Sequence, residues 1–155
     1  MLIKKIIDCL KSREFVSVAT CDFDGKPNAA PKLILKLDNS FVYLIDYAIG
    51  RTWINLQSNP RVSLSFTDTD TLNGYQLNGK VELIKSGPVY NQMLEELHQK
   101  KIDLVTKRVI EGILRGKKHE NFELAIPDKF VIFKIHIEEV VEIGLQGQIS
   151  REKVC

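Results

Sequence analysis

The side chains best suited to hold a small anionic molecule are concentrated in two stretches, PKLILKL and YAIGRTWINL. Read as a strand, PKLILKL places Lys32, Ile34 and Lys36 on one face and Leu33, Leu35 and Leu37 on the other. If the leucines fill the interior of a barrel, the lysines point outward. They then stand roughly 13 Å apart along the strand, a spacing that could bracket a flat anionic ligand; the competing reading is a solvated face. In YAIGRTWINL, Gly50 leads into Arg51 and Thr52 at the opening of a helix. Unpaired N–H groups, the positive end of the helix dipole, a guanidinium fork and a hydroxyl together make a competent phosphate site. Taken alone, Thr52 reads equally well as a helix cap.

Other chemistries are poorly served. His98, His119 and His136 have no carboxylate or cysteine at ligand spacing, and no serine lies in a glycine-flanked nucleophile turn. Cys9, Cys21 and Cys155 are odd in number and far apart, which fits neither a disulfide framework nor a zinc site. No metal is therefore expected. Lys and Arg (22) nearly balance Asp and Glu (20), and the densest basic cluster, Arg115, Lys117 and Lys118, runs straight into Glu120. That argues against a nucleic-acid surface. MLIKKIIDCL is too short and too charged for a signal-peptide core, and no run approaches the roughly 20 apolar residues of a membrane span. A cytoplasmic protein is the expectation.

The elements that must position these residues follow from periodicity. Ile3, Ile6, Ile7 and Leu10 predict a short amphipathic helix. EFVSVATC, NAAPKLILKL and FVYLID then read as three antiparallel strands, joined at Asp24-Gly25 with Pro27 and at Asp38-Asn39-Ser40. RTWINLQSN interrupts as a short helix ending near Asn59-Pro60, after which RVSLSF and GYQLNGKVELI resume the sheet. From Gly87 to Gly116 the pattern is helical: Met93, Leu94 and Leu97 mark one helix and Ile102, Val105, Val109, Ile113 and Leu114 a second. FVIFKIHIEEVVEI, with Phe133, Ile135 and Ile137 opposite Lys134, His136 and Glu138, closes the sheet. With 155 residues, 44% of them hydrophobic, and no repeat or linker, the chain reads as a single domain over 1–155. The fold class expected is mainly β with flanking helices, a six-stranded antiparallel barrel carrying a helical insertion at about 87–116.

The ordered series VSVAT, DGKPNAAPKLILKL, FVYLID, GRTWINLQSNPRVSLSF and the glycine of LNGKVELI resembles the FMN-binding split-barrel family typified by pyridoxamine 5′-phosphate oxidase. The resemblance covers residues 10–86, and its most specific part is the basic helix start followed eight residues later by Asn59-Pro60-Arg61-Val62. It implies an FMN-dependent oxidoreductase, a homodimer with a flavin site at the interface, and a small-molecule substrate or electron donor. By position, Arg51 and Thr52 would hold the FMN phosphate, although the family often has lysine where Thr52 stands. Lys32 and Lys36, with Ile34 between them, would line the ring and ribityl chain. Ile45, Asp46 and Tyr47 would pack along the flavin, and Tyr75 and Gln76 would contribute from the other subunit. The insertion would shape the substrate entrance. GLQGQISREKVC offers no good match to the arginine and histidine residues with which true pyridoxamine phosphate oxidases grip their substrate, which speaks against vitamin B6 chemistry. The alternative is a non-catalytic module of the same fold holding FMN, haem or a deazaflavin; for haem, an axial histidine near the groove would be needed, and His119 and His136 fall outside the matched region.

Overall fold

A computed structural model of the chain describes residues 1–114 and 130–154. The cluster Arg115, Lys117 and Lys118, the end of the insertion at Gly116, His119 and Cys155 lie outside them, as do the side chains of Val105, Val109, Ile113 and Leu114.

Helix α1 (Leu2–Lys11) buries Ile3, Ile6, Ile7 and Leu10. These recur every third or fourth residue, so one stripe of the helix lies on the core, each side chain contributing about 1.5–3 kcal/mol of burial. Strand β1 (Phe15–Cys21) alternates strictly, with Val16, Val18 and Thr20 inward. It turns through Asp22, whose carboxylate accepts the N–H groups of Asp24 and Lys26 at 2.9 and 2.8 Å, and through Gly25 at φ 78°. β2 (Pro27–Leu37) and β3 (Phe41–Tyr47) follow, then α2 (Arg51–Ser58), β4 (Arg61–Thr67) and β5 (Gly74–Ile84). After α3 (Pro88–Leu114) come β6 (Phe130–Ile143) and β7 (Ile149–Lys153).

The strands form one antiparallel sheet in the order β3-β2-β1-β4-β5-β6-β7, and pairing of β3 with β6 closes the first six into a barrel. β7 lies outside the closure, hydrogen-bonded to the second half of β6. The barrel interior holds Val18, Leu44, Leu64, Leu77, Phe133 and Ile135, none with measurable exposure, and α1 packs on this core. Where β5 crosses β6, the ladder slips by one residue beside Gly79. A Cβ there would lie 2.0 Å from the carbonyl oxygen of His136, so only glycine fits.

Three sequence expectations change. The insertion is one continuous helix of 27 residues rather than two. The polar run His98-Gln99-Lys100-Lys101 interrupts the apolar pattern, but none of its residues is a glycine or proline, so nothing breaks the backbone. Met93 and Leu97 pack with Leu35 and Ile132 in a second cluster on the outer face of the barrel, and Ile102 is exposed. β7 was unanticipated: Gly144 and Gly147, the latter at φ 82°, turn the chain so that ISREK returns along β6. The third change concerns β2 and bears on the site.

Candidate functional site

β2 is longer than its neighbour on one side. Residues 27–33 pair with β1, but pairing with β3 begins only at Leu33 opposite Ile45. Over 27–32 the strand therefore has a backbone edge without a strand partner, and α2 packs beside this end of the β1–β2 hairpin. The inward side chains of this segment lie opposite buried residues of β1: Asn28 opposite Thr20, Ala30 opposite Val18 and Lys32 opposite Val16.

α2 is fixed there by amides and hydroxyls. Asn28 Nδ2 donates to Thr52 Oγ1 at 3.1 Å, Asn55 Nδ2 donates to Thr20 Oγ1 at 3.1 Å, and Asn59 Nδ2 donates to Cys21 Sγ at 3.2 Å. Thr20, Thr52 and Asn55 are buried. The helix opens after Gly50 at φ 89°, a conformation that side chains other than glycine rarely adopt. Gly50 has no side chain with which to cap, and the first intrahelical bond runs from Ile54 N–H to the Gly50 carbonyl. The N–H groups of Arg51, Thr52 and Trp53 are thus left without a partner among the described residues, at the positive end of the helix dipole. The Arg51 side chain is exposed and forms no ion pair among the described residues.

The two lysines of β2 part company. Leu35 is a bulge: Ile34 pairs with Leu44, but Lys36, not Leu35, comes opposite Tyr43. The extra residue reverses the alternation. Lys32 and Ile34 point inward, while Lys36 points outward beside Leu33 and Leu35, 3.9 Å from Glu96 on α3. The shared lysine face expected from strict alternation does not form. Lys32 Nζ instead meets Asp46 Oδ2 at 2.8 Å, with side chains only 15% and 6% exposed. The other Asp46 oxygen accepts the Tyr47 N–H at 2.8 Å.

The remaining predicted residues divide as follows. Arg51, Thr52, Asp46, Tyr47 and Lys32 lie at the uncovered end of β2 or on the elements leading into α2, although the Thr52 hydroxyl faces Asn28 and only its N–H is free for a ligand. Ile45 turns its side chain to the cluster beneath α3. Ile34 and Tyr75 are core residues, 2% and 1% exposed, with Tyr75 under Lys5 of α1 and its ring tilted against Phe66. Gln76 lies on the outer sheet face in register with Ser65 and Val141. Asn28, Asn55 and Thr20 were not foreseen. Their types carry no signal in isolation, and only the docking of α2 on the β1–β2 hairpin makes them a group.

An uncovered strand edge beside an uncapped helix N-terminus occurs here in a closed six-stranded barrel, and the sequence pattern of the pyridoxamine 5′-phosphate oxidase family matches residues 2–144. The chain belongs to this family. No curated protein matches the sequence significantly. Among solved structures of the fold, a Clostridium acetobutylicum protein related to general stress protein 26 of B. subtilis superposes with a TM-score of 0.67 at 16% identity, over 99% of this chain and 94% of its own. A pyridoxamine 5′-phosphate oxidase-related, FMN-binding protein from Nostoc punctiforme gives 0.59 at 17%, over 98% and 95%. A haem-binding protein from Mycobacterium smegmatis gives 0.64 at 16%, with 99% of this chain covering 58% of that one. Among the described residues, no three His, Cys, Asp or Glu side chains gather as metal ligands, and no helix is long and apolar enough to cross a membrane.

Proposed function

We propose that the protein binds FMN at the uncovered end of β2 and acts as an FMN-dependent oxidoreductase on a small molecule. The observation carrying this reading is the free N-terminus of α2. Three N–H groups and an exposed guanidinium, all without a partner among the described residues, stand at one point, the donor set that a dianionic phosphate requires. The open backbone edge of residues 27–32, where Pro27 and Pro31 have no N–H, offers mainly carbonyl acceptors to the polar side of a ring. Flavin supplies the electron-transfer chemistry when bound, and this chain supplies position and charge. Family membership and the FMN-binding relative from Nostoc punctiforme support the choice of cofactor.

A second copy would complete the site. The outer face of β1, β2 and β4 is lined by Ser17, Ala19, Ala29, Pro31, Ser63 and Ser65, small residues in direct register across the strands. Ser17, Ala19, Ala29 and Pro31 are exposed, a smooth surface suited to close approach of an identical sheet.

The relative from Mycobacterium smegmatis makes haem the alternative to exclude. His136 packs its ring at a tilt against Phe41 at the far end of β3 from Asp46, so it does not stand at the α2 site. Adding FMN and, separately, haem to the purified protein and recording visible spectra decides between them. A stoichiometric flavin complex is expected; a Soret-dominated complex with no flavin bound overturns the proposal.

A further inference from the structure

A second depression lies at the opposite end of β2 from Asn28, about 30 Å away along the strand. It is a cleft of about 520 Å³ between α1, the turn joining β2 to β3, and the end of β7. The volume falls within the range of small-molecule sites. Ile3, Ile7 and Val154 give it an apolar floor, and Lys4, Lys153 and Ser40 stand at its rim.

The charges around it are unevenly satisfied. Glu152 accepts the N–H groups of Leu2 and Ile3 at 2.8 and 3.5 Å, so its carboxylate is engaged as the cap of α1. Asp8 is bound by Lys11 at 2.7 Å, which with the more distant Lys4 holds its carboxyl below the usual range. Both acidic groups of the lining therefore already have partners. Neither Lys4 nor Lys153 forms an ion pair among the described residues, although Lys5, Lys32, Lys80 and Lys134 each have a carboxylate partner. The Ser40 hydroxyl makes no hydrogen bond among the described residues, and only the Ser40 carbonyl is engaged, by Ile137 N–H. An apolar floor with, among the described residues, two ammonium groups outside any ion pair and a hydroxyl without a hydrogen bond at its rim selects a molecule with an apolar body and an anionic head.

We infer that this cleft is a second ligand site, for a small organic anion of the medium-chain carboxylate type. It is built entirely from α1, the β2–β3 turn and β7, and it does not depend on the flavin site. The ammonium groups of Lys4 and Lys153 hold the carboxylate, and Ile3, Ile7 and Val154 cover the chain.

The test is an amide ¹H–¹⁵N titration of the intact protein with decanoate, and with decanol as its uncharged counterpart. Saturable shifts confined to α1, Asn39, Ser40 and residues 152–154 are expected, with decanol weaker by about tenfold. The double variant Lys4→Glu/Lys153→Glu should lose about tenfold in decanoate affinity with its remaining spectrum unchanged, since both side chains are exposed. Should that variant fail to fold, Lys4→Gln/Lys153→Gln serves in its place. Shifts centred elsewhere, equal binding of decanol, or indifference to the lysine changes would each overturn the inference. FMN binding measured on the same samples reports separately on the α2 site.

Discussion

Replacing Arg51 with alanine should weaken FMN without unfolding the protein. The side chain is exposed, forms no ion pair among the described residues and opens α2 without packing beneath it, so its loss removes little native structure. What it removes is the guanidinium beside three N–H groups that have no partner among the described residues and would face a phosphate carrying close to two negative charges. Hydrogen bonds to charged groups contribute about 1.5–3 kcal/mol, which converts to a loss of about 10- to 150-fold in affinity. Thr52→Ala should act differently. Its hydroxyl accepts from Asn28 in a part-buried contact, so that variant loses about 1 kcal/mol of stability and removes Asn28's hydrogen-bond partner, with a smaller effect on FMN. Calorimetric titration of wild type and both variants with FMN and with riboflavin separates these cases. Riboflavin, lacking the phosphate, should bind wild type weakly and be indifferent to Arg51→Ala. The FMN loss should shrink as salt rises, because an exposed charge is screened. Equal losses for FMN and riboflavin would show that Arg51 supports the helix, and the phosphate would have to be placed elsewhere.

Lys32→Met should destabilise the fold by about 3 kcal/mol in denaturant unfolding, because Asp46 would be left buried without its cation; the partial exposure of Lys32 keeps the effect at the low end for buried pairs. Adding Asp46→Leu to that variant should restore most of the loss, and no restoration would show that the pair is not the cause. Lys36→Met, on the outer face beside Glu96, should leave both stability and the potential of bound flavin unchanged, and a shifted potential would contradict the bulge at Leu35. Gly79→Ala drives a methyl into the His136 carbonyl, so it should cost at least about 3 kcal/mol; a near-wild-type unfolding midpoint would refute the close approach. Ala19→Arg, on the small-residue sheet face, should convert the proposed dimer to monomer in light scattering and weaken FMN in parallel. A dimer that persists would move the interface elsewhere.

Most of the barrel could be read from alternation, because each strand has one face in the core. FVSVATC and FVYLID place Val16, Val18, Val42 and Leu44 inward as their spacing requires. The break between strands at GRTWINLQSNP and the family order were equally visible. What escaped were features decided by contacts between distant segments. A single extra residue at Leu35 reverses the second half of β2, and nothing in KLILKL distinguishes a bulged strand from a straight one. Tyr75 has the type of a ligand-stacking residue, but its partners are Phe66 on the neighbouring strand and Lys5 on α1, so it is a core side chain. In the site itself, Arg51 and the helix start were legible from local chemistry. The Lys32–Asp46 pair and the Asn28–Thr52 and Asn55–Thr20 contacts exist only because the chain folds back on itself.

β6 also sets the order in which the molecule can assemble. It binds β5 along most of its length, and on its other edge it binds β3 first and β7 after. As the chain leaves the ribosome, β1 to β5 can pair by short hairpins and one local crossover, but β3 and β5 remain open edges until Phe130–Ile143 emerges. Bringing Phe41 opposite His136 then closes a long loop late, which is entropically slow and leaves strand edges able to pair with other chains in the interval. Refolding should accordingly show a fast phase for the hairpins and a slower one reported by Trp53 beside the closing barrel, with aggregation competing only during the second.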